Sequence, residues 1–256
     1  MLSETTRHPV ESSKSLHPLP LILWPLVFIS QLLVASLIAW HLLAQFNFGY
    51  SLAYESLAID EHITRFGPKN RYRPDFETTD KNQHLVLFAQ IGDAIQDHGN
   101  GLAEITYQTD TGQTHTLLRN AEVIHLQDVA NLVDVFYLSG MVSLGILLLG
   151  ILIAWQKKLP LPGSKAIAIG VVAVVAAVAL VLALVGFKDA FYWLHVQIFP
   201  EDHEWFFYYQ DSLMTTLMKA PDLFGFIGAL LGGLILLFWI AEIIGLRLLL
   251  QSGRKT

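Results

Sequence analysis

Apolar positions in this chain gather into four long runs, residues 21–46, 133–155, 166–187 and 223–250. Each meets the ~20 residues that a helix needs to cross a bilayer core. The first run exceeds the apolar stretch of about 7–15 residues in a cleaved signal, so it is read as a retained helix. Polar stretches separate the runs: a long segment 47–132, a short link 156–165 and an aromatic segment 188–222, with tails 1–20 and 251–256 at the ends.

Segment 47–132 is too long for a simple connection and needs structure of its own. Tyr50 to Phe66 has the spacing of one amphipathic helix, closed by Gly67-Pro68. His84–Ile95 alternates weakly and is read as part of a strand-bearing insertion. Ala103–Tyr107 and Thr114–Leu118 flank Thr109-Asp110-Thr111-Gly112 and predict a β-hairpin. In segment 188–222, Phe206, Tyr209, Leu213 and Leu217 repeat at helical spacing, which suits an amphipathic helix lying in the interface and closed by Pro221. Its many aromatic rings suit the boundary between lipid and water. Gly225, Gly228, Gly232 and Gly233 are expected to give the fourth run close helix contacts.

Composition agrees. At 53% hydrophobic and 15% charged residues, the chain is too apolar for a soluble domain of this size. A net charge of −6 and the lack of a basic stripe argue against nucleic acid as a partner. The absence of cysteine excludes disulfides, thiolate metal sites and a Cys nucleophile. Charge also orients the chain. The link 156–165 carries Lys157, Lys158 and Lys165 with no acid, so it and both termini are expected in the cytoplasm, and the two long segments outside. The expected fold is a membrane all-α protein: four transmembrane helices and a small extracytoplasmic insertion containing a β-hairpin, with an interfacial amphipathic helix.

Candidate chemistry lies at the external boundary. Glu122, His125 and Asp128 fall along one face of a helix just before the second run. His195 follows the third run, with Asp211 further on. His125 with Asp128 and His195 with Asp211 could meet across the bundle as an acid/base site, since imidazole titrates near neutrality and a carboxylate can fix its tautomer. The same residue types could hold zinc, and two unrelated interfacial histidines is the plainer reading. His41 reads as an interfacial residue, and Glu242, inside the fourth run, needs a partner or a cavity.

The pattern Glu122-x-x-His125-x-x-Asp128-Val129, then Leu194-His195, Trp205, Asp211-x-Leu213-Met214 and Pro221-x-x-Phe224, resembles the lipoprotein intramolecular transacylase (Lit) family. The resemblance spans all four runs and both external motifs; the hairpin at 103–118 and the long N-terminal tail depart from the family pattern. It implies a bacterial cytoplasmic-membrane acyltransferase. Such an enzyme moves an ester-linked acyl chain from the diacylglyceryl group of a lipoprotein to the α-amine of its N-terminal Cys. It implies His125 and His195 as the catalytic histidines. On this reading Asp128 orients His125 as base, and His195 protonates or stabilises the oxyanion, with the two roles exchangeable. Glu122, Asp211, Lys188, Tyr54 and Trp205 are supporting candidates. The expected partners are the diacylglyceryl lipoprotein and membrane lipid, and no cofactor is expected. The alternatives are a zinc-dependent membrane hydrolase of lipid or peptide and a noncatalytic sensor or assembly factor.

Overall fold

The computed structural model describes residues 18–252; the tail 1–17 and the basic end with Arg254 and Lys255 lie outside the described residues. Four helices are long and apolar enough to cross a membrane. They are α1 (Pro18–Gln45), α5 (Asn120–Gln156), α6 (Ser164–Val185) and α9 (Asp222–Ser252). At 1.5 Å per residue, the 37 residues of α5 extend about 55 Å, well beyond a core of ~30 Å. Its first turns therefore stand outside the lipid, continuous with the span. This rigid extension carries Glu122, His125 and Asp128.

α1 packs along both α5 and α9. The close approach is made by glycines of α5. A Cβ at Gly140 would stand 2.8 Å from Leu37 Cδ2, and one at Gly150 would stand 2.6 Å from Val27 Cγ2. This differs from the expectation for α9: Cβ atoms at Gly232 and Gly233 would meet nothing within 4 Å, while Gly225 and Gly228 face only the Phe187 ring. Small residues bring helices together only where a partner backbone lies opposite, and α9 presents those glycines elsewhere. α6 buries none of its residues against the rest of the protein.

The insertion packs over the end of the bundle opposite the link 156–165. The expected helix 50–66 is two, α2 (Tyr50–Ser56) and α3 (Ile59–Phe66), broken where Ala58 takes φ 49°. The segment read as strand-bearing is helix α4 (Lys81–Gln96), with Asp80 capping its N-terminus through Gln83 N–H. Its buried residues His84, Leu87, Phe88, Ile91 and Ala94 form a stripe of helical period, which outweighs the weak alternation. The hairpin is present as β1 (Thr106–Gln108) and β2 (Thr114–Thr116), antiparallel, with Tyr107 opposite His115. Tyr50 ties the insertion together and to the second polar segment by stacking on Phe88 at 4.0 Å and donating to Leu217 O at 2.7 Å.

In the second polar segment the helix is α7 (Phe187–Ile198), which ends before Pro200. Trp193 and Val196 point outward, while Phe191, Tyr192 and His195 turn inward to a cavity that Leu194 and Ile198, both partly exposed, also line. Residues 206–217 do not continue as a helix. A non-helical strap runs to α8 (Leu213–Met218), whose six residues are all buried. Ser212 caps α8 by accepting from Thr215 N–H, and Tyr209 O–H donates to Ala220 O, so local capping overrides the helical spacing of Phe206, Tyr209 and Leu213.

Candidate active site

α5 and α7 bring His125 and His195 to one cavity of about 360 Å³, with ring centroids 6.1 Å apart. The cavity wall is otherwise nearly all apolar or aromatic; neither Asp, Glu, Lys nor Arg lines it. Phe199 sits against both imidazoles, 4.9 Å from His125 and 5.1 Å from His195. Phe191 and Trp205 lie tilted against the His195 ring, with centroids at 4.0 and 5.0 Å, and Phe207 lies 6.0 Å from His125.

The two rings are held differently. His195 Nδ1–H donates to Phe191 O at 2.8 Å. A carbonyl can only accept, so this bond fixes the proton on Nδ1 and leaves Nε2 with its lone pair when the ring is neutral. Burial lowers the His195 pKa below the ordinary imidazole value, and the bond to Phe191 O acts in the opposite sense. His125 is 7% exposed, and its Nδ1 has no hydrogen-bond partner.

The two acids in the first turns of α5 serve different ends. Glu122 is fully buried and accepts from Arg119 N–H at 2.7 Å and from Ser212 O–H at 2.5 Å. It thereby ties the start of α5 to α8, whose Thr215 lines the cavity. Asp128, expected to orient His125, instead accepts from His203 Nδ1–H at 2.6 Å. That bond holds the strap bearing Phe199, Trp205 and Phe207 against α5.

The other candidates divide. Trp205 lines the cavity. Asp211 pairs with Arg71 at 3.4 Å, away from His195. Lys188 lies over the Tyr192 ring at 5.5 Å. Tyr54 is buried in the insertion and bonds His84 Nδ1 at 2.8 Å, remote from the cavity. Sequence reasoning missed His203, Ser212, Thr215 and Phe199. His203 had a local signal, an imidazole within the acidic run Glu201-Asp202-His203-Glu204, but Asp128 lies 75 residues away. Among the described residues, no three His, Cys, Asp or Glu side chains are grouped to hold a metal ion. His41 bonds Tyr137 at an exposed position, and Glu242 has no hydrogen-bond partner among the described residues.

A multi-pass helical membrane protein with paired imidazoles in an apolar, aromatic-walled cavity is suited to proton transfer on a lipid substrate. The family model described as lipoprotein intramolecular transacylase Lit matches residues 23–220, and the chain belongs to that family. It is thus a membrane acyltransferase concerned with lipoprotein modification. Among solved structures, the chain is similar to the in meso structure of the membrane-integral lipoprotein intramolecular transacylase Lit from Bacillus cereus, a variant with one histidine changed to arginine. The TM-score is 0.61 at 16% identity, covering 92% of this chain and 93% of that one. No curated protein matches the sequence.

Proposed function

We propose that this protein transfers an acyl chain from the glycerol ester of a lipoprotein's diacylglyceryl-Cys to the α-amine of the same Cys, using His195 and His125 as base and acid. The observation that carries this reading is the pair of imidazoles 6.1 Å apart on one apolar cavity. The α-ammonium must first lose a proton, and His195 Nε2 is the available lone pair. The amine nitrogen then attacks the ester carbonyl, forming the C–N bond. Collapse of the tetrahedral intermediate breaks the C–O bond. His125 gives its ring N–H proton to the departing glycerol oxygen and recovers the surplus proton from the newly bonded nitrogen, while His195 releases the ammonium proton to solvent. The products are an amide on nitrogen and a free glycerol hydroxyl.

The assignment of base to His195 exchanges the roles first expected, because its proton is tied to Phe191 O. Amine and ester share one molecule, so orientation replaces an enzyme nucleophile. No cofactor takes part. The apolar wall excludes water that would otherwise compete with the amine. Asp128 acts on the strap through His203, and Glu122 on α8 through Ser212; Trp205 seats His195. The protein lies in the bacterial cytoplasmic membrane with both termini inside and the cavity on the outer face, a topology supported by Lys157, Lys158 and Lys165 in the short link.

The test is expression in a bacterium whose lipoproteins have free N-termini, followed by mass spectrometry of N-terminal lipopeptides. The expected result is an acyl chain on nitrogen and one chain left on glycerol. Lipopeptides that keep both chains on glycerol would overturn the reading.

A further inference from the structure

A second cavity, larger than the first at 610 Å³, opens between α1, α6 and the link that joins α5 to α6. It exists because α6 stands off from the bundle. Its walls include Trp24, Phe28, Leu161, Ile167, Gly170 and Trp239. Along α1 it reaches from Pro20 to Leu32, about 18 Å at 1.5 Å per residue. That matches one leaflet, roughly half of a ~30 Å hydrocarbon core. It lies at the opposite end of the spans from the histidine cavity.

Three lysines flank the crevice wall in sequence without lining it, either side of Pro160–Pro162 and next to Ala166. Lys157 and Lys158 follow α5, Lys165 sits in the first turn of α6, and all three are exposed. No acid occurs between them, and among the described residues none has an ion-pair partner. Two of the aromatic walls, Trp24 and Trp239, are 5% and 6% exposed, and neither indole N–H has a hydrogen-bond partner. Glu242, one turn along α9 from Trp239, does not line the crevice.

We propose that this crevice is a binding site for an anionic phospholipid. One acyl chain lies between α1 and α6, and the phosphate rests on Lys157, Lys158 and Lys165. Basic pockets between membrane helices favour anionic headgroups in this way. The apolar depth supplies retention, and the lysines supply the preference for negative charge. The site is independent of the acyl-transfer chemistry, since it shares no lining residue with the histidine cavity.

Native mass spectrometry of the full chain in detergent tests this, with phosphatidylglycerol or phosphatidylcholine of identical chains added in turn. Phosphatidylglycerol adducts should survive activation at least tenfold more often, and millimolar inorganic phosphate should not displace them. Replacing Lys157, Lys158 and Lys165 together by Gln should erase the difference between the lipids. Gly170→Phe should lower retention of both, because a Cβ at Gly170 meets nothing within 4 Å and the added ring can enter the crevice without a backbone clash. Equal retention of the two lipids, an unchanged preference in the triple Gln variant, displacement by phosphate, or full retention in Gly170→Phe would each overturn the proposal.

Discussion

Asp128 accepts a hydrogen bond from His203 Nδ1–H at 2.6 Å, and this pair fastens the aromatic strap across both cavity histidines. The bond to Asp128 raises the His203 pKa above the ordinary imidazole value. A raised folded-state pKa contributes stability that is fully present below the unfolded value near 6.5 and is lost as pH rises through the folded value. The clasp should therefore loosen on the alkaline side of pH 6.5. Protection factors of the amides in residues 199–207, corrected for the base-catalysed rise in intrinsic exchange, should fall over that range in the wild type. In His203→Ala they should already be low and should not change with pH. Turnover in that variant should fall on the order of ten- to a hundredfold through misplacement of Trp205 and Phe199. An unchanged exchange profile would separate the pair from the strap.

His84 predicts an acid-sensitive insertion. It is buried between two hydroxyls: Tyr54 O–H donates to Nδ1 at 2.8 Å, and Nε2–H donates to Thr79 Oγ1 at 2.6 Å, the arrangement in which a neutral ring satisfies all partners. Burial pushes its pKa down to about 4. A depressed value means that the unfolded chain binds the proton first. Stability is thus present above pH 6.5 and lost as pH falls toward 4, by about 3 kcal/mol at most. Thermal unfolding in detergent between pH 7 and 4 checks the direction. Tyr54→Phe, which removes a donor from a buried nitrogen, should cost about 1–2 kcal/mol at neutral pH without a specific effect on acyl transfer.

Glu122 joins α5 to α8 through Ser212 and the Arg119 amide. Glu122→Ala leaves buried donors without an acceptor and should destabilise by about 3 kcal/mol. Ser212→Ala also removes the cap of α8, for a further effect near 1 kcal/mol relative to Ser212→Thr. The two losses should fall short of additive when combined, since they share one contact. Full additivity in a double-variant cycle would show that the carboxylate and hydroxyl act separately.

The parts of the fold that could be read from sequence are those set by local chemistry. The membrane spans follow from run length, and the hairpin from the turn residues at 109–112. His125 and His195 stood out as ionisable rings beside apolar runs. The rest depends on partners distant in sequence. Asp128 lay three residues from His125, yet its partner is His203; Glu122 found Ser212, 90 residues away. Tyr54 shares the insertion with one end of the bundle but serves His84. The strap at 199–212 combines local caps at Ser212 and Tyr209 with the distant bond from His203 to Asp128. Beside the break at Ala58 the Leu57 carbonyl accepts from Lys219, and local periodicity does not reveal such partners.

Gly150 lies where α1 leaves no room for a side chain on α5. A Cβ there would stand 2.6 Å from Val27 Cγ2, and Val27 is fully buried. Gly150→Val must push the helices apart and should cost about 1–3 kcal/mol. Gly232→Val on α9 adds a similar side chain where no atom lies within 4 Å and should be nearly neutral. Thermal unfolding of the two variants side by side checks the contrast.

The roles of the two histidines separate by pH. If His195 Nε2 removes the ammonium proton, kcat/KM must rise with pH as His195 deprotonates, and burial sets that midpoint below 6.5. His195→Ala should lower turnover by about 10²–10⁴-fold and abolish this acidic limb. His125→Ala should reduce turnover over the same range while keeping the limb, because its task is to protonate the departing glycerol oxygen. The substrate α-amine, with a free pKa near 8, adds its own rise at higher pH, so the profiles must be compared between variants and not read singly. If the acidic limb instead disappears with His125 and survives loss of His195, the base is His125, and the bond from His195 to Phe191 O serves only to hold that ring in the wall.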